Sequence, residues 1–168
     1  MAPHDRAFRI RHELKPGDLG MVVHLHGLVY AREYGLDTTF EPYVAEPLAR
    51  CVRTGSGRIW IAEDETGRIL GSIAMVDAGA HVGQLRWFLL VPEARGCGLG
   101  RRLLATALAY ARNRGLLRVF LWSFADLVDA RRLYERAGFR LSQTRTGHVW
   151  GAERTELRME IELGPAQP

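Results

Sequence analysis

Apolar residues recur along this chain at two spacings, one typical of helices and the other typical of strands. The clearest helical spacing covers residues 99–114, where apolar positions recur every three to four residues on one stripe. The clearest alternation covers residues 155–163, where apolar and charged residues take turns. Both patterns occur several times, so the chain is predicted to combine helices and strands.

The predicted helices and strands interleave along the chain, which indicates an α/β protein. The strand predicted over residues 84–91 is apolar on both faces from Trp87 onward, and this favours a central position in a sheet. Asp18, Thr39 and either Asp126 or Asp129 are the predicted N-caps of three helices. The other predicted strands cover residues 8–12, 58–63, 68–76, 118–124, 139–144 and 155–163. Four helices are predicted: one over residues 18–34, a second that begins after the cap at residue 39, a third over residues 99–114, and a fourth that ends at residue 138.

A loop rich in arginine and glycine lies between the predicted strand 84–91 and the predicted helix 99–114. Glycine lets the backbone approach a ligand closely, and the first amides of a helix have no partner within the helix. The helix dipole and the arginines add positive charge, so this segment is suited to binding phosphate. Its residues are Arg95, Gly96, Cys97, Gly98, Leu99, Gly100, Arg101 and Arg102.

Other interpretations of this loop differ in how well they match its residues. A Walker loop ends in Gly-Lys-Ser/Thr, and Lys15 is the only lysine of the chain. A Rossmann loop needs Gly-x-Gly-x-x-Gly directly after a first strand, and the glycines here have a different spacing. A tight turn that uses glycine only for its geometry stays open, and Cys97 is interpreted as a small loop residue rather than a reactive thiol.

Composition and charge narrow the classes of function. The 168 residues have a net charge of +4, but the arginines are scattered and form no basic stripe, so no nucleic-acid partner is predicted. Cys51 and Cys97 have neither a disulfide nor a metal-binding spacing, so we predict no metal and a cytoplasmic location. No apolar run approaches the ~18 residues of a membrane span. Residues 164–168 are predicted to be disordered.

Two motifs resemble those of a known enzyme family. Arg95-x-x-Gly98-x-Gly100 is similar to the Arg/Gln-x-x-Gly-x-Gly/Ala signature of the GCN5-related N-acetyltransferases (GNAT). Residues 133–139, Leu-Tyr-Glu-Arg-Ala-Gly-Phe, resemble the Leu-Tyr-Glu-x-x-Gly-Phe segment of the same family. The resemblance implies one acetyltransferase domain over residues 1–163, with the GNAT fold: a mixed central sheet of about seven strands, four helices, and two parallel strands that splay apart to form the cofactor cleft.

The resemblance also implies a cofactor and a reaction. The cleft would hold acetyl-CoA, with its pantetheine arm paired to the backbone of Leu89, Leu90 and Val91 and its pyrophosphate on the amides of residues 95–101. A primary amine would attack the thioester directly, and Tyr134 would act as the general acid. Packing in the core is the alternative role for Tyr134.

The sequence defines the contacts to the amine less sharply. Family members often carry an asparagine seven residues before the tyrosine, where this chain has Leu127. The resemblance implies that the first two helices and the loop of the last hairpin bind the amine, whereas the position of the general base varies within the family. Each candidate has an ordinary structural role as an alternative. The candidates for the general base are Glu33, Glu63, Asp126 and His148, and those for binding of the amine are Tyr30, Tyr34 and Trp150. Trp150 is predicted to lie exposed in the loop of residues 147–151, with packing onto the sheet as the alternative.

Residues 24–35 resemble the start of the acetyltransferase half of proteins that fuse a winged-helix regulator to this fold. No such regulator precedes them in the given sequence, so no DNA-binding role is carried over. His24 and His26 are two residues apart on a predicted helix, so one is expected to be buried and the other exposed. We therefore expect an acetyltransferase acting on a small-molecule or peptide amine, without a membrane or nucleic-acid partner, and a homodimer as its assembly. The alternative is a non-catalytic acyl-CoA-binding sensor.

Overall fold

The computed structural model describes residues 8–164, which form one mixed sheet of seven strands flanked by four α-helices, as predicted. The predicted disorder of residues 164–168 falls, except for Gly164, outside the described residues. The strands are β1 Phe8–Arg11, β2 Gly57–Asp64, β3 Ile69–Asp77, β4 Val82–Leu90, β5 Arg118–Phe124, β6 Arg140–Val149 and β7 Ala152–Glu162, and the helices are α1 Asp18–Tyr34, α2 Phe40–Thr54, α3 Leu99–Asn113 and α4 Val128–Arg136.

The strands lie in the order β1-β2-β3-β4-β5-β7-β6, so β4 is the central strand, as its apolar sequence predicts. Every neighbouring pair is antiparallel except β4 and β5, which are parallel. The parallel pairing ends where Gln84 lies opposite Phe120. Beyond this point β4 and β5 separate, which opens the middle of the sheet.

A β-bulge in β4 lies beside this opening. Trp87 and Phe88 together oppose Ile73 of β3, so β4 has one extra residue there. Trp87 has φ +47°, in the left-handed region, and the Ser72 hydroxyl donates a hydrogen bond to its carbonyl at 2.7 Å. The extra residue reverses the alternation of side chains, because Leu85 packs in the core on the α3 face whereas Trp87 packs in the core on the α1–α2 face.

Helices cover both faces of the sheet because each presents an apolar stripe to it. On α3 the buried stripe follows the predicted spacing. The opposite face is covered by α1 and α2, which also pack against each other. The largest fully buried side chains in these layers are Val22, Val44, Leu48, Ile61, Ile73, Met75, Leu99, Leu103, Leu104, Val119, Leu121 and Met159.

The predicted N-cap of α1 is wrong. Gly17 occupies the cap position with φ +93°, and Asp18 is the first helical residue. The Asp18 carboxylate is instead buried, where it accepts hydrogen bonds from the Arg11 guanidinium at 2.7 Å and 2.9 Å and from the Lys15 amide at 2.7 Å. A buried arginine requires charged partners, so this carboxylate neutralises Arg11 and makes no side-chain cap bond to the helix.

The predicted N-cap of α4 is also wrong. Leu127 occupies the cap position, and α4 begins without a side-chain cap bond. Asp126 lies outside the helix and forms an ion pair with Arg154 at 3.3 Å. Asp129 lies inside the first turn, where a carboxylate complements the helix dipole.

The strand β6 is longer than predicted. It runs to Val149 rather than to residue 144, so His148 belongs to a strand and only Trp150 and Gly151 form the connection to β7. Nearly every β6 residue is exposed because this strand lies at the edge of the sheet. An exposed edge strand lacks the apolar alternation that would have marked it in the sequence.

Candidate functional site

A cleft with a volume of about 90 Å³ lies where β4 and β5 separate. The indole Nε1 of Trp87 and the hydroxyl of Ser123 line it, and both are buried without a hydrogen-bond partner among residues 8–164. Unpaired buried polar atoms indicate a site that a ligand or solvent completes. Other lining residues are His26, Tyr30, Phe40, Tyr43, Arg86, Phe88, Phe124, Leu127, Tyr134, Trp150 and Glu156.

The arginine- and glycine-rich loop follows the end of β4 at this opening. Gly96 and Gly98 have φ +76° and +84°, a conformation that favours glycine, and Gly98 is the N-cap of α3. The Arg102 amide is the first to bond back, to the Gly98 carbonyl at 3.1 Å. In the described part of the chain, none of the amides of residues 96–101 donates to another protein group. Free amide donors at the N-terminus of a helix have the geometry and partial charge to bind an anion.

Arg95 holds the start of this loop in place. Its Nη1 donates to Glu33 Oε1 at 2.9 Å, and its Nη2 donates to the Leu90 carbonyl at 3.0 Å, which ties α1 to the end of β4. The Arg95 amide donates to the Pro92 carbonyl at 3.2 Å. The free amides therefore begin at Gly96, one residue later than predicted.

The end of β4 presents its backbone in two directions. The Val91 amide donates to the Leu70 carbonyl at 2.9 Å, so it is not free to pair with a pantetheine arm as predicted. Backbone groups alternate in direction along a strand, so Leu89 also faces β3, where it lies opposite Ser72. The Leu90 backbone lies between them and faces the opening, but its carbonyl accepts hydrogen bonds from Arg95 Nε at 3.2 Å and Nη2 at 3.0 Å, so its amide rather than its carbonyl is left for a ligand. Of the three predicted pairing residues, Leu90 alone is directed there.

Tyr134 lies on α4 and is buried, with its ring 6.0 Å from the ring of Phe88 and 5.8 Å from that of Phe139. It lines the cleft, and its hydroxyl has no hydrogen-bond partner among the described residues. Burial raises the pKa of Tyr134, and the neighbouring Tyr30 raises it further. The phenol therefore retains its proton near neutral pH and can donate it.

The aromatic residues predicted to bind the amine form one cluster at the α1–α2 side. The ring of Tyr30 lies 5.7 Å from both Tyr34 and Phe124 and 5.0 Å from Phe40. Burial raises the pKa of Tyr30, so this phenol also stays neutral. Tyr30 lines the cleft, whereas Tyr34 lies behind it and its backbone carbonyl accepts a hydrogen bond from Arg154 at 2.7 Å.

Trp150 is not the exposed loop residue that the sequence predicts. It is half-buried in the turn between β6 and β7, with φ +50°. Its ring lies 4.9 Å from that of Tyr43 and 5.0 Å from that of Phe40, and its carbonyl accepts a hydrogen bond from the Asp37 amide at 3.1 Å. The turn therefore closes over α2 and supplies one wall of the cleft.

The four predicted general bases lie outside the lining of the cleft. Glu33 is paired with Arg95 at the rim, Asp126 is exposed and paired with Arg154, and His148 is exposed on the edge strand. Glu63 lies in the buried ion network of Arg11, at the far edge of the sheet. The hydrogen bond from Arg11 lowers the pKa of Glu63, against the opposing effect of burial, so this carboxylate is a poor proton acceptor.

Two charged residues of the cleft were missed by the sequence reasoning. Glu156 on β7 is buried and accepts hydrogen bonds from Arg145 Nε at 2.7 Å and Nη2 at 3.0 Å. Arg86 on β4 is half-buried between Tyr43 and Trp87. Glu156 lies on the polar face of an alternating strand, and nothing in that alternation shows that the face borders a cleft. The bulge that turns Arg86 and Trp87 to the same side has no sequence signal.

The remaining histidines and helices add two structural observations. His26 is buried and donates a hydrogen bond from Nδ1 to the Val22 carbonyl at 2.8 Å, and burial lowers its pKa to about 4. His24 is exposed, as expected for this pair. Across residues 8–164, no three His, Cys, Asp or Glu side chains are grouped to hold a metal ion. None of the helices in that range is both long and apolar enough to cross a bilayer.

Several known proteins are similar to this chain in sequence or in fold. An uncharacterised N-acetyltransferase of Escherichia coli K12 is 30% identical over 141 residues, which cover 78% of this chain and 81% of that protein. The mycothiol acetyltransferase of an Arthrobacter species is 37% identical over 84 residues, or 47% of this chain, but these cover only 26% of that longer protein. The spermidine N-acetyltransferase of Vibrio cholerae, solved with CoA and spermine, superposes with a TM-score of 0.72 at 21% identity, covering 92% of this chain and 95% of that one.

The sequence model of the Acetyltransferase (GNAT) family matches residues 23–139, which include the loop, the splayed strands and Tyr134. This match covers more than half of the chain, and the relative in E. coli is similar over most of both lengths. The two motifs, the seven-stranded sheet and the sequence match agree, and this chain belongs to the GNAT family of acetyltransferases.

Proposed function

We propose that this chain transfers the acetyl group of acetyl-CoA to a primary amine, with Tyr134 as the proton donor. The observation that carries the proposal is that the unpaired amides of residues 96–101 include Gly100, where an added Cβ would lie 3.3 Å from Leu90 and 3.7 Å from Phe88, the residue whose ring contacts Tyr134 in the cleft. These groups supply an anion site, a strand edge and an acid, which are what the reaction needs from the protein.

The residues of the loop suit acetyl-CoA. The free amides would hold its phosphates, and the Leu90 backbone would pair with its pantetheine arm. A side chain at position 100 would approach Leu90 Cδ1 to 3.3 Å, so glycine there lets the start of α3 lie close to β4. When bound, acetyl-CoA supplies a thioester whose carbonyl carbon accepts the amine.

Tyr134 would hold a proton beside the reacting sulfur. The raised pKa of Tyr134 keeps its hydroxyl protonated. The rings of Phe88 and Phe139 pack against the Tyr134 ring and hold the side chain in place. The hydroxyl has no competing partner in the described part of the chain, so it is available to donate. Leu127, where relatives often carry an asparagine, lines the cleft and adds an apolar contact in place of an amide.

We assign Glu156 to the amine, in place of the four residues suggested by the sequence. It is a buried carboxylate that lines the cleft, and Arg145 holds it from one side. An ammonium group would bind to such a carboxylate, and a bridging water would pass one ammonium proton to bulk solvent, which leaves the neutral amine for attack. Glu33 would then serve to anchor Arg95.

The proposal extends to the setting of the reaction. The acceptor would be a small-molecule or peptide amine, since the named relatives are acetyltransferases for mycothiol and spermidine. We propose that residues 1–163 form a single domain, that the enzyme works in the cytoplasm as a homodimer, and that it needs no metal. The resemblance of residues 24–35 to the acetyltransferase half of winged-helix fusion proteins stays a prediction.

Calorimetric titration with acetyl-CoA, CoA and ATP tests the cofactor, and release of free thiol with a panel of amines tests turnover. We expect micromolar binding of both CoA compounds and none of ATP. Absence of binding to either CoA compound would contradict the proposal. Binding with turnover that does not depend on the Tyr134 hydroxyl would favour a different acid, and binding without any turnover would favour the sensor role.

A further inference from the structure

Arg86 lacks the charged partner that the two buried arginines, Arg11 and Arg154, have. Arg11 is paired with Asp18 and Glu63, and Arg154 is paired with Asp126. Arg86 is half-buried and lines the cleft, yet among residues 8–164 it has neither an ion pair nor a hydrogen bond to another protein group. A guanidinium that is partly removed from water without an anion is costly, so an anion supplied by a ligand would stabilise it.

The contacts that Arg86 does make hold it by its faces. Its guanidinium carbon lies 5.0 Å from the ring centre of Trp87 and 5.8 Å from that of Tyr43. Aromatic faces attract the flat side of a guanidinium and leave its N–H edge free. Burial lowers the pKa of Arg86, as expected for a cation without a counter-ion, although the group stays charged at neutral pH.

The position of Arg86 along β4 separates it from the cofactor loop. It lies in the middle of β4, two residues beyond Gln84, where pairing with β5 ends, whereas the free amides begin only at Gly96, after the end of the strand. Phe88, which contacts the Tyr134 ring, is two residues further on, at most about 6–7 Å along an extended strand. A small molecule held by Arg86 therefore lies within its own length of the proton donor.

We propose that Arg86 binds a carboxylate of the acceptor, so the substrate is an amino acid or a similarly small amine that carries a carboxylate. The guanidinium edge matches a carboxylate with two parallel hydrogen bonds. Glu156 lines the same cleft and would receive the amine, so the two charges of the site would match the two charges of a zwitterion. This inference rests on the proposed acetyltransferase function.

Matched pairs of acceptors test the inference. The twenty L-amino acids and their carboxamides differ only in the carboxylate, and acetylation of each is followed by thiol release with wild-type protein, Arg86→Met and Arg58→Met. Arg58 stacks on Tyr110 at 4.7 Å outside the cleft, so its substitution removes the same charge and a similar stacking contact. Loss of a charge-assisted pair predicts that kcat/KM for the acids falls about 10- to 100-fold more than for the amides in Arg86→Met.

Binding measurements decide the question even for acceptors that turn over slowly. The N-acetylated amino acids and their amides are titrated into protein saturated with CoA, and we expect wild type and Arg58→Met to prefer the acids and Arg86→Met to lose this preference. Equal binding and turnover of acids and amides by wild-type protein would overturn the inference, as would equal loss of both series in Arg86→Met. Failure of acetyl-CoA to bind would instead overturn the proposed function, since Arg86 lies away from the loop.

Discussion

The two ends of the cleft are built from different parts of the chain. At the end proposed to bind acetyl-CoA, here called the cofactor end, the contacts would come from the amides of residues 96–101 and the backbone of Leu90. The side chains there matter mainly by being small. At the acceptor end, the walls are side chains from distant elements, among them Tyr43, Arg86 and Glu156. A backbone site depends on conformation and tolerates little change in shape, whereas a side-chain site can change its ligand one residue at a time.

The largest effect should come from the residue between the two ends. Tyr134→Phe keeps the ring contacts and removes the hydroxyl, so we expect kcat to fall about 10²- to 10⁴-fold while acetyl-CoA affinity stays within about twofold. Stopped-flow thiol release and calorimetry measure the two quantities. Tyr110→Phe is the control, because Tyr110 lies on α3 against Trp60. A kcat within threefold of wild type would refute the assignment of the acid.

The cofactor end should fail through conformation. Gly98 has φ +84°, and a Cβ there would meet only Arg101 at 3.6 Å, so the cost of Gly98→Val is the strained backbone of a β-branched residue. We expect acetyl-CoA affinity to fall about 5- to 30-fold, since about 1–2 kcal/mol of strain is relieved by moving the free amides. Calorimetry measures this loss.

Gly115→Val provides the control for this strain. Gly115 also has positive φ, +69°, with open space around it, but it lies at the other end of α3. It should lower the melting temperature without weakening acetyl-CoA binding. If both variants lose affinity equally, general destabilisation rather than the loop explains the effect.

The acceptor end should respond to charge. In Glu156→Gln we expect kcat/KM for the amine to fall about 10-fold, as for loss of one charged hydrogen bond, with acetyl-CoA affinity unchanged. Steady-state kinetics with varied amine measures this change. Glu153→Gln on the same strand is exposed and serves as the control. Weaker acetyl-CoA binding in Glu156→Gln would show that the two ends are not independent.

The smallest effect on activity should come from Glu63, which lies at neither end. Its folded-state pKa is lowered from the ordinary 4.5, so it contributes stability above that pH and loses the contribution as the pH falls through the lowered value. We expect Glu63→Gln to melt below wild type at pH 7, with the difference shrinking below about pH 4.5. Turnover at 25 °C should stay near wild type, and a large loss of kcat would return Glu63 to the list of bases.

The sequence predicted the fold and the cofactor end more fully than the acceptor end. The apolar stripe of α3, the alternation of β7 and the glycines of the loop are local signals, and each reflects a backbone requirement that short segments satisfy. Asp18 was wrongly predicted to be an N-cap because its carboxylate pairs with Arg11, which lies on β1 rather than in the helix. Contacts between elements leave no periodic trace in either segment.

The sequence analysis missed Arg86 and Glu156 because the cleft that they line is assembled from several elements. Arg86 and Glu156 become neighbours of one cleft only after β7 inserts beside β5 and the bulge turns Arg86 toward Tyr43. Trp150 was placed in an exposed loop because the polar edge strand β6 hid how short the turn is. Side-chain sites assembled from several elements depend on topology, which a single sequence specifies only as a whole.

The bulge at Trp87 makes β4 behave as two half-strands that are out of phase. In the proposed complex, the first half would direct the Arg86 side chain to the acceptor, and the second half would direct the Leu90 amide to the cofactor. The extra residue keeps the two halves in different frames, so variation in one need not disturb the other. Directed evolution confined to the first half should therefore change which amines are used while the donor stays the same, and deletion of a single residue at the junction should abolish both at once.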